Sequence, residues 1–129
     1  MDLAHYFKEH RGTGVLATAD ATGRVNTAIY SRPHVFADKS LGLIMRDRLS
    51  RKNIHENPHA GYLFREEGEG YHGLRLWLKM LDESDDAERI AELSRRKKPY
   101  SGEESEGKYL VRFAIEKGFV LIGGEELEL

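Results

Sequence analysis

Tyr71-His72-Gly73-Leu74-Arg75-Leu76-Trp77-Leu78-Lys79-Met80-Leu81 is the stretch on which the fold turns. Leu74, Leu76, Leu78 and Met80 alternate with Arg75, Trp77, Lys79 and Leu81. A period of two is the mark of a strand with one buried face. The acidic, Gly-rich Glu66–Gly70 before it reads as a solvated hairpin tip, and His59–Phe64 as the strand on its far side. After it the period changes. Ser84 is the expected N-cap of a helix with Asp85 and Asp86 in its first turn. Ala87, Ile90, Ala91 and Ser94 share a face, and Arg95, Arg96, Lys97 and Lys98 close the helix before Pro99, complementing its dipole.

Further out, Tyr109, Val111, Phe113 and Ile115 alternate through another strand, which Gly118 is expected to interrupt before a last strand at Phe119–Ile122. On the N-terminal side, Thr13–Ala19 and Arg24–Ser31 flank an Asp20-Ala21-Thr22-Gly23 turn. Pro33 marks a bend or edge. His34-Val35-Phe36 and Leu41–Met45 flank a turn at Asp38-Lys39-Ser40. Residues 2–10 make a short helix capped by Asp2, with Leu3, Tyr6 and Phe7 on one side. About seven strands with turns every 8–12 residues predict a mainly β chain, a barrel or sandwich carrying a few helices.

The 129 residues and 14.7 kDa suit a single domain, 1–129. With no cysteine, a disulfide framework, a thiolate metal site and a thiol nucleophile are excluded. A net charge of −2 gives no global pull toward nucleic acid. The N-terminus does not read as a secretory signal, and no apolar run approaches the roughly 20 residues of a membrane span. A soluble, cytoplasmic protein is expected.

Gly68-Glu69-Gly70-Tyr71-His72-Gly73 spells the dinucleotide-binding G-x-G-x-x-G. A strand follows it where that motif needs a helix, and its glutamates repel phosphate, so a hairpin tip is the reading. His55 and His59 have metal-ligand spacing, but Pro58 breaks any helix through them, and no metal is expected. The basic run Arg95–Lys98 is accounted for by the helix dipole.

Arg46-Asp47-Arg48-Leu49-Ser50-Arg51-Lys52-Asn53 carries the most chemistry. Four cations, a hydroxyl and an amide lie between a short strand and about two turns of helix that end before Pro58. Guanidinium groups and helix-start amides suit a phosphate monoester, while a solvated loop fits the composition equally well.

The order of elements, with the Asp-x-x-Gly turn, Val25-Asn26-Thr27, the basic segment and Asn57-Pro58-His59-Ala60, resembles the pyridoxamine 5′-phosphate oxidase-related flavoproteins over roughly residues 5–123. The resemblance implies a split β-barrel that dimerises and holds FMN between its subunits. It implies that Asn26, Thr27, Ala28, Ile29, Tyr30 and Arg32 run along the isoalloxazine ring, and that Met45 and Arg46 flank the ribityl chain. Ser50-Arg51-Lys52, with Asn53 after it, matches the family's phosphate-gripping run. Counted back from Asn57-Pro58, however, that run sits two residues late, which places Ser50 and Arg48 at the phosphate instead. Either register supplies a hydroxyl and a guanidinium. Arg48 and Ser50 are the leading pair, then Arg51, with Arg32 reaching in from the neighbouring strand.

The oxidase's C-terminal segment for its vitamin substrate has no counterpart here. The expected function is therefore an FMN-dependent oxidoreductase on an unidentified small molecule, with a small-molecule or redox-protein electron partner. A flavin-carrying electron carrier or store is the alternative, as are a deazaflavin- or haem-binding relative (with His34 or His72 as axial ligand) and a ligand-free dimer. Tyr30, His34, Trp77 and Tyr100 are candidates for the open face of the ring, although core packing is the expectation for Trp77.

Overall fold

A computed structural model describes residues 1–94 and 107–129. Its elements are α1 (Leu3–Glu9), β1 (Gly12–Ala19), β2 (Val25–Tyr30), β3 (His34–Val35), β4 (Leu41–Arg46), α2 (Leu49–Glu56), β5 (His59–Glu66), β6 (Gly73–Ser84), α3 (Ala87–Leu93) and β7 (Lys108–Val120). The run Arg95–Lys98 and Tyr100 lie outside the described residues.

The strands form one antiparallel sheet in the order β2-β1-β5-β6-β7-β4-β3. β2 and β3 are its two edges, yet only Ser31, Arg32 and Pro33 join them. Laid flat, seven strands would set the edges about 29 Å apart, at roughly 4.8 Å per neighbour. Four Cα steps reach at most about 14 Å. The sheet therefore has to roll into a half-barrel that meets itself at residues 31–33.

The inward side of β6 is the expected one: Leu74, Leu76 and Leu78 are each 1% exposed. Leu16, Met45, Tyr62, Phe64 and Phe113 complete the core around them. α1 closes one end with Leu3 and Phe7, and the Phe7 ring stands edge-on to Phe64 with centroids 5.4 Å apart. Burying such a ring contributes roughly 1.5–3 kcal/mol, which holds a helix too short to persist alone. The G-x-G-x-x-G run is the β5–β6 hairpin tip, with Gly68 and Gly70 at positive φ and the Arg65 guanidinium donating to the Gly70 carbonyl.

Three local expectations are corrected. β6 runs on to Ser84, because Asp82, Glu83 and Ser84 pair with Arg112, Val111 and Leu110, so the cap of α3 is Asp86. The Asp86 carboxylate accepts the Glu88 and Arg89 amides, while the Ser84 hydroxyl accepts the Asp86 amide. Gly118 does not break β7: it faces Leu76 in the ladder, and its carbonyl accepts from Leu127. Trp77 is 54% exposed instead of packed in the core, since it alternates with the buried leucines and points to the opposite, outer face.

Candidate functional site

Two adjoining places gather the sequence candidates. The first is where β4 runs into α2. Arg48 holds the N-cap position with extended backbone and no side-chain cap, whereas Asp2 and Asp86 cap α1 and α3. No acid sits in the first turn of α2. Its opening amides therefore present the positive end of the helix without a carboxylate over them. Ser50 is buried behind them and shares a hydrogen bond with Tyr30 at the end of β2. Burial pushes the Tyr30 hydroxyl above the ordinary phenol range, against the opposing pull of the Ser50 bond and the Arg48 charge. One turn on, Asn53 Nδ2 donates to Thr18 Oγ1 at 3.1 Å, a buried bond that fixes α2 against β1.

The second place is a pocket of about 390 Å³ at the seam of the half-barrel. Ser31, Arg32 and His34 line it from the edge-to-edge link, and Gly42, Leu43, Ile44 and Arg46 from β4. Lys108 and Leu110 of β7, with Leu93 at the end of α3 and Ser94 after it, complete the wall. The register sets Arg46 directly opposite Lys108. Arg32 is held by two carbonyls at the end of α1, donating from Nη1 to Phe7 O at 2.7 Å and His10 O at 3.1 Å. Three cations thus share a pocket whose remaining wall mixes Ile44, Leu93 and Leu110 with Ser31, His34 and Ser94, a composition that can orient an anionic group.

The structure separates the residues that the sequence offers as one row. Asn26, Ala28 and Tyr30 are the half-buried positions of β2, whereas Thr27 and Ile29 are exposed on the outer face. Met45 is buried in the core, next to Arg46 at the pocket. In the Ser50-Arg51-Lys52-Asn53 run, Ser50 and Asn53 point inward. Lys52 pairs in solvent with Glu56. Arg51 is engaged by protein: its Nη2 and Nε donate to Glu83 at 2.7 and 3.2 Å, its Nη1 to Asp47 at 3.0 Å, and its guanidinium lies 3.7 Å from the centroid of the Tyr109 ring. The arginine holds Glu83 below the usual carboxylate range.

Of the candidates for a ring face, Tyr30 and Trp77 lie on opposite faces, and His34 lines the seam pocket. His72 is exposed at the hairpin tip. His55 meets Glu83 at 3.1 Å and His59 meets Glu116 at 3.5 Å, each with a separate carboxylate. Among the described residues no three His, Asp or Glu side chains gather as a metal site. Lys108 is the cation of the pocket that sequence reasoning missed. As the first residue of a strand it carries no local signal, and only its register opposite Arg46 brings it to the pocket.

No family model matches the sequence, and no curated protein matches it. The fold has clear likenesses among solved structures. An FMN-binding protein from Syntrophomonas wolfei superposes with a TM-score of 0.76 at 15% identity, over 95% of this chain and 86% of that one. An F420 reductase gives 0.70 at 14% identity, over 89% and 94%. A Lactobacillus delbrueckii protein provisionally named a pyridoxamine 5′-phosphate oxidase gives 0.68 at 14% identity, over 92% of each chain. The chain has the split β-barrel fold of the FMN-binding and pyridoxamine 5′-phosphate oxidase-like proteins, as the resemblance implied.

Proposed function

We propose that this split barrel binds FMN and works as a flavin-dependent oxidoreductase on a small molecule, as a homodimer with the cofactor between its copies. The observation that carries this reading is the uncapped start of α2, with Arg48 at the N-cap and Ser50 behind it, adjoining a pocket lined by Arg32, Arg46 and Lys108. The donor set fits a phosphate monoester carried on a longer, partly apolar body. The likeness to an FMN-binding protein supports the choice of cofactor.

When bound, FMN supplies the two-electron chemistry. This chain's residues bind and orient. The α2 amides and Arg48 hold the phosphate, and Ser50, itself positioned by Tyr30, adds a hydroxyl. Arg46 and Arg32 neutralise charge along the pocket, while Ile44 and Leu93 add apolar wall. The exposed apolar side chains Val25, Ile29 and Leu63 on the outer sheet face support pairing of two copies.

Visible absorption of the purified protein, with added FMN and sedimentation of the coloured species, tests the reading. A flavin spectrum at one FMN per chain in a dimer is the expected outcome. Replacing Arg48 and Ser50 together by Ala should weaken FMN binding by about 2–5 kcal/mol, through lost charge-assisted bonds. Unchanged affinity in the double variant moves the phosphate elsewhere. A deazaflavin, favoured by the likeness to the F420 reductase, would give its own spectrum, and a Soret band would replace the flavin reading with haem.

A further inference from the structure

The seam pocket holds more positive charge than the cofactor accounts for. Arg32, Arg46 and Lys108 line it, and among the described residues no Asp or Glu does. The chain as a whole carries a net charge of −2, so the cluster runs against the overall balance. The one ionised group of FMN is its phosphate, which the flavin reading seats at the start of α2 with Arg48 and Ser50. Its ring and ribityl chain are uncharged. The charge that the three seam cations neutralise therefore has to arrive with a second molecule.

The cations come from both sides of the seam. Arg46 is exposed, and among the described residues its guanidinium has no hydrogen bond or ion pair, whereas Arg51 and Arg112 are taken up by carboxylates. Lys108 stands opposite it and is 6% exposed, so water screens its charge little. Arg32, across the seam, is fixed through Nη1 alone; its Nη2 and Nε have no protein partner among the described residues. In the same ladder Ile44 faces Leu110, and both line the pocket. Alternation puts that apolar rung on the same face as the Arg46–Lys108 rung, about 7 Å along the strand. A cationic rung beside an apolar one matches an acid group carried on a short apolar body.

We propose that the seam pocket is the substrate side of the flavin site and takes a small organic acid. Its carboxylate meets Arg46 and Lys108, its apolar body lies against Ile44 and Leu110, and Arg32 donates from across the seam. The inference rests on the flavin reading, because the phosphate's seat on α2 is what leaves these cations over. The pocket belongs to the β7-β4-β3 side of the sheet, and none of Val25, Ile29 and Leu63, the patch that supports pairing of copies, lines it.

Benzoate is the probe and benzamide, its uncharged isostere, the control, each titrated by calorimetry into the full-length protein with and without saturating FMN. Saturable benzoate binding at one site per chain in the FMN-loaded protein, and none by benzamide, is expected. Arg46→Gln and Lys108→Met should each weaken it about tenfold or more through a lost charge-assisted bond. Arg46 is exposed, so its variant keeps the test open should the buried Lys108→Met protein fail to fold. If FMN and benzoate exclude one another, the seam cations hold the cofactor's phosphate; this inference then falls and the flavin reading stands. If the protein takes no FMN yet binds benzoate through Arg46 and Lys108, the flavin reading falls and the acid site stands. No saturable binding at millimolar benzoate, or equal binding in the original chain and both variants, overturns the proposal.

Discussion

Arg51 shows how a residue's chemistry is decided by what faces it. Read in line, Ser50-Arg51-Lys52 is a single polar run, but successive residues on a helix point about 100° apart. Ser50 goes to the interior, Lys52 to solvent, and Arg51 to a carboxylate 32 positions along the chain. Glu83 accepts from Arg51 and meets His55 one turn later, so one carboxylate clips both turns of α2 to the end of β6. Replacing Glu83 by Gln should cost about 1–3 kcal/mol of stability in urea unfolding, because a partly buried guanidinium loses its charged partner. Lys52→Ala, which touches only an exposed i,i+4 pair, should stay within about 0.5 kcal/mol. The residue types of this site were legible in the sequence. Their division was not, since Glu83 and Tyr109 reach Arg51 only through the closed sheet.

Among the elements, those whose signals are local came through. The strand pattern of 74–80, the Asp20–Gly23 turn and the two turns of α2 before Pro58 depend on periodicity and on neighbours in sequence. The boundary at Ser84 failed because pairing with β7, unseen in the sequence, carried the strand past a good capping residue. The two caps can be told apart. Asp86→Ala should cost about 0.5–2 kcal/mol and speed amide exchange at Glu88 and Arg89. Ser84→Ala should leave those two amides unchanged. The bulge at Glu116, where Trp77 pairs with Lys117 but Leu78 with Ile115, was likewise invisible, because a bulge is defined by the register of two strands and by neither one alone.

For the molecule as a whole, Arg112 with Asp38 and Asp82, and Arg51 with Glu83, form charge clusters on the flank of the barrel. Arg112 holds Asp82 below the ordinary carboxylate range, Ser40 and then Arg112 hold Asp38 there, and Arg51 does the same for Glu83. Carboxyls with lowered folded pKa values add stability that is present above their unfolded values and lost as pH falls through the folded ones. Acid unfolding followed by circular dichroism should therefore begin below about pH 4. Arg112→Ala should flatten that limb, as Asp38 and Asp82 return toward ordinary titration.

The three-residue link between the edges of the sheet has a dynamic consequence. Every other neighbouring pair of strands is laced by backbone hydrogen bonds, and to part them is to break a ladder. β2 and β3 are not neighbours in the ladder, so widening the gap between them breaks no strand pairing. It flexes residues 31–33, which are tied by Arg32 to the Phe7 and His10 carbonyls and by the Tyr62 hydroxyl to the Ser31 carbonyl. Ser31 and Arg32 of that link form one wall of the seam pocket. A molecule bound there can enter and leave by breathing of the wall, on the fast timescale of loop motion, while the rest of the barrel keeps its register.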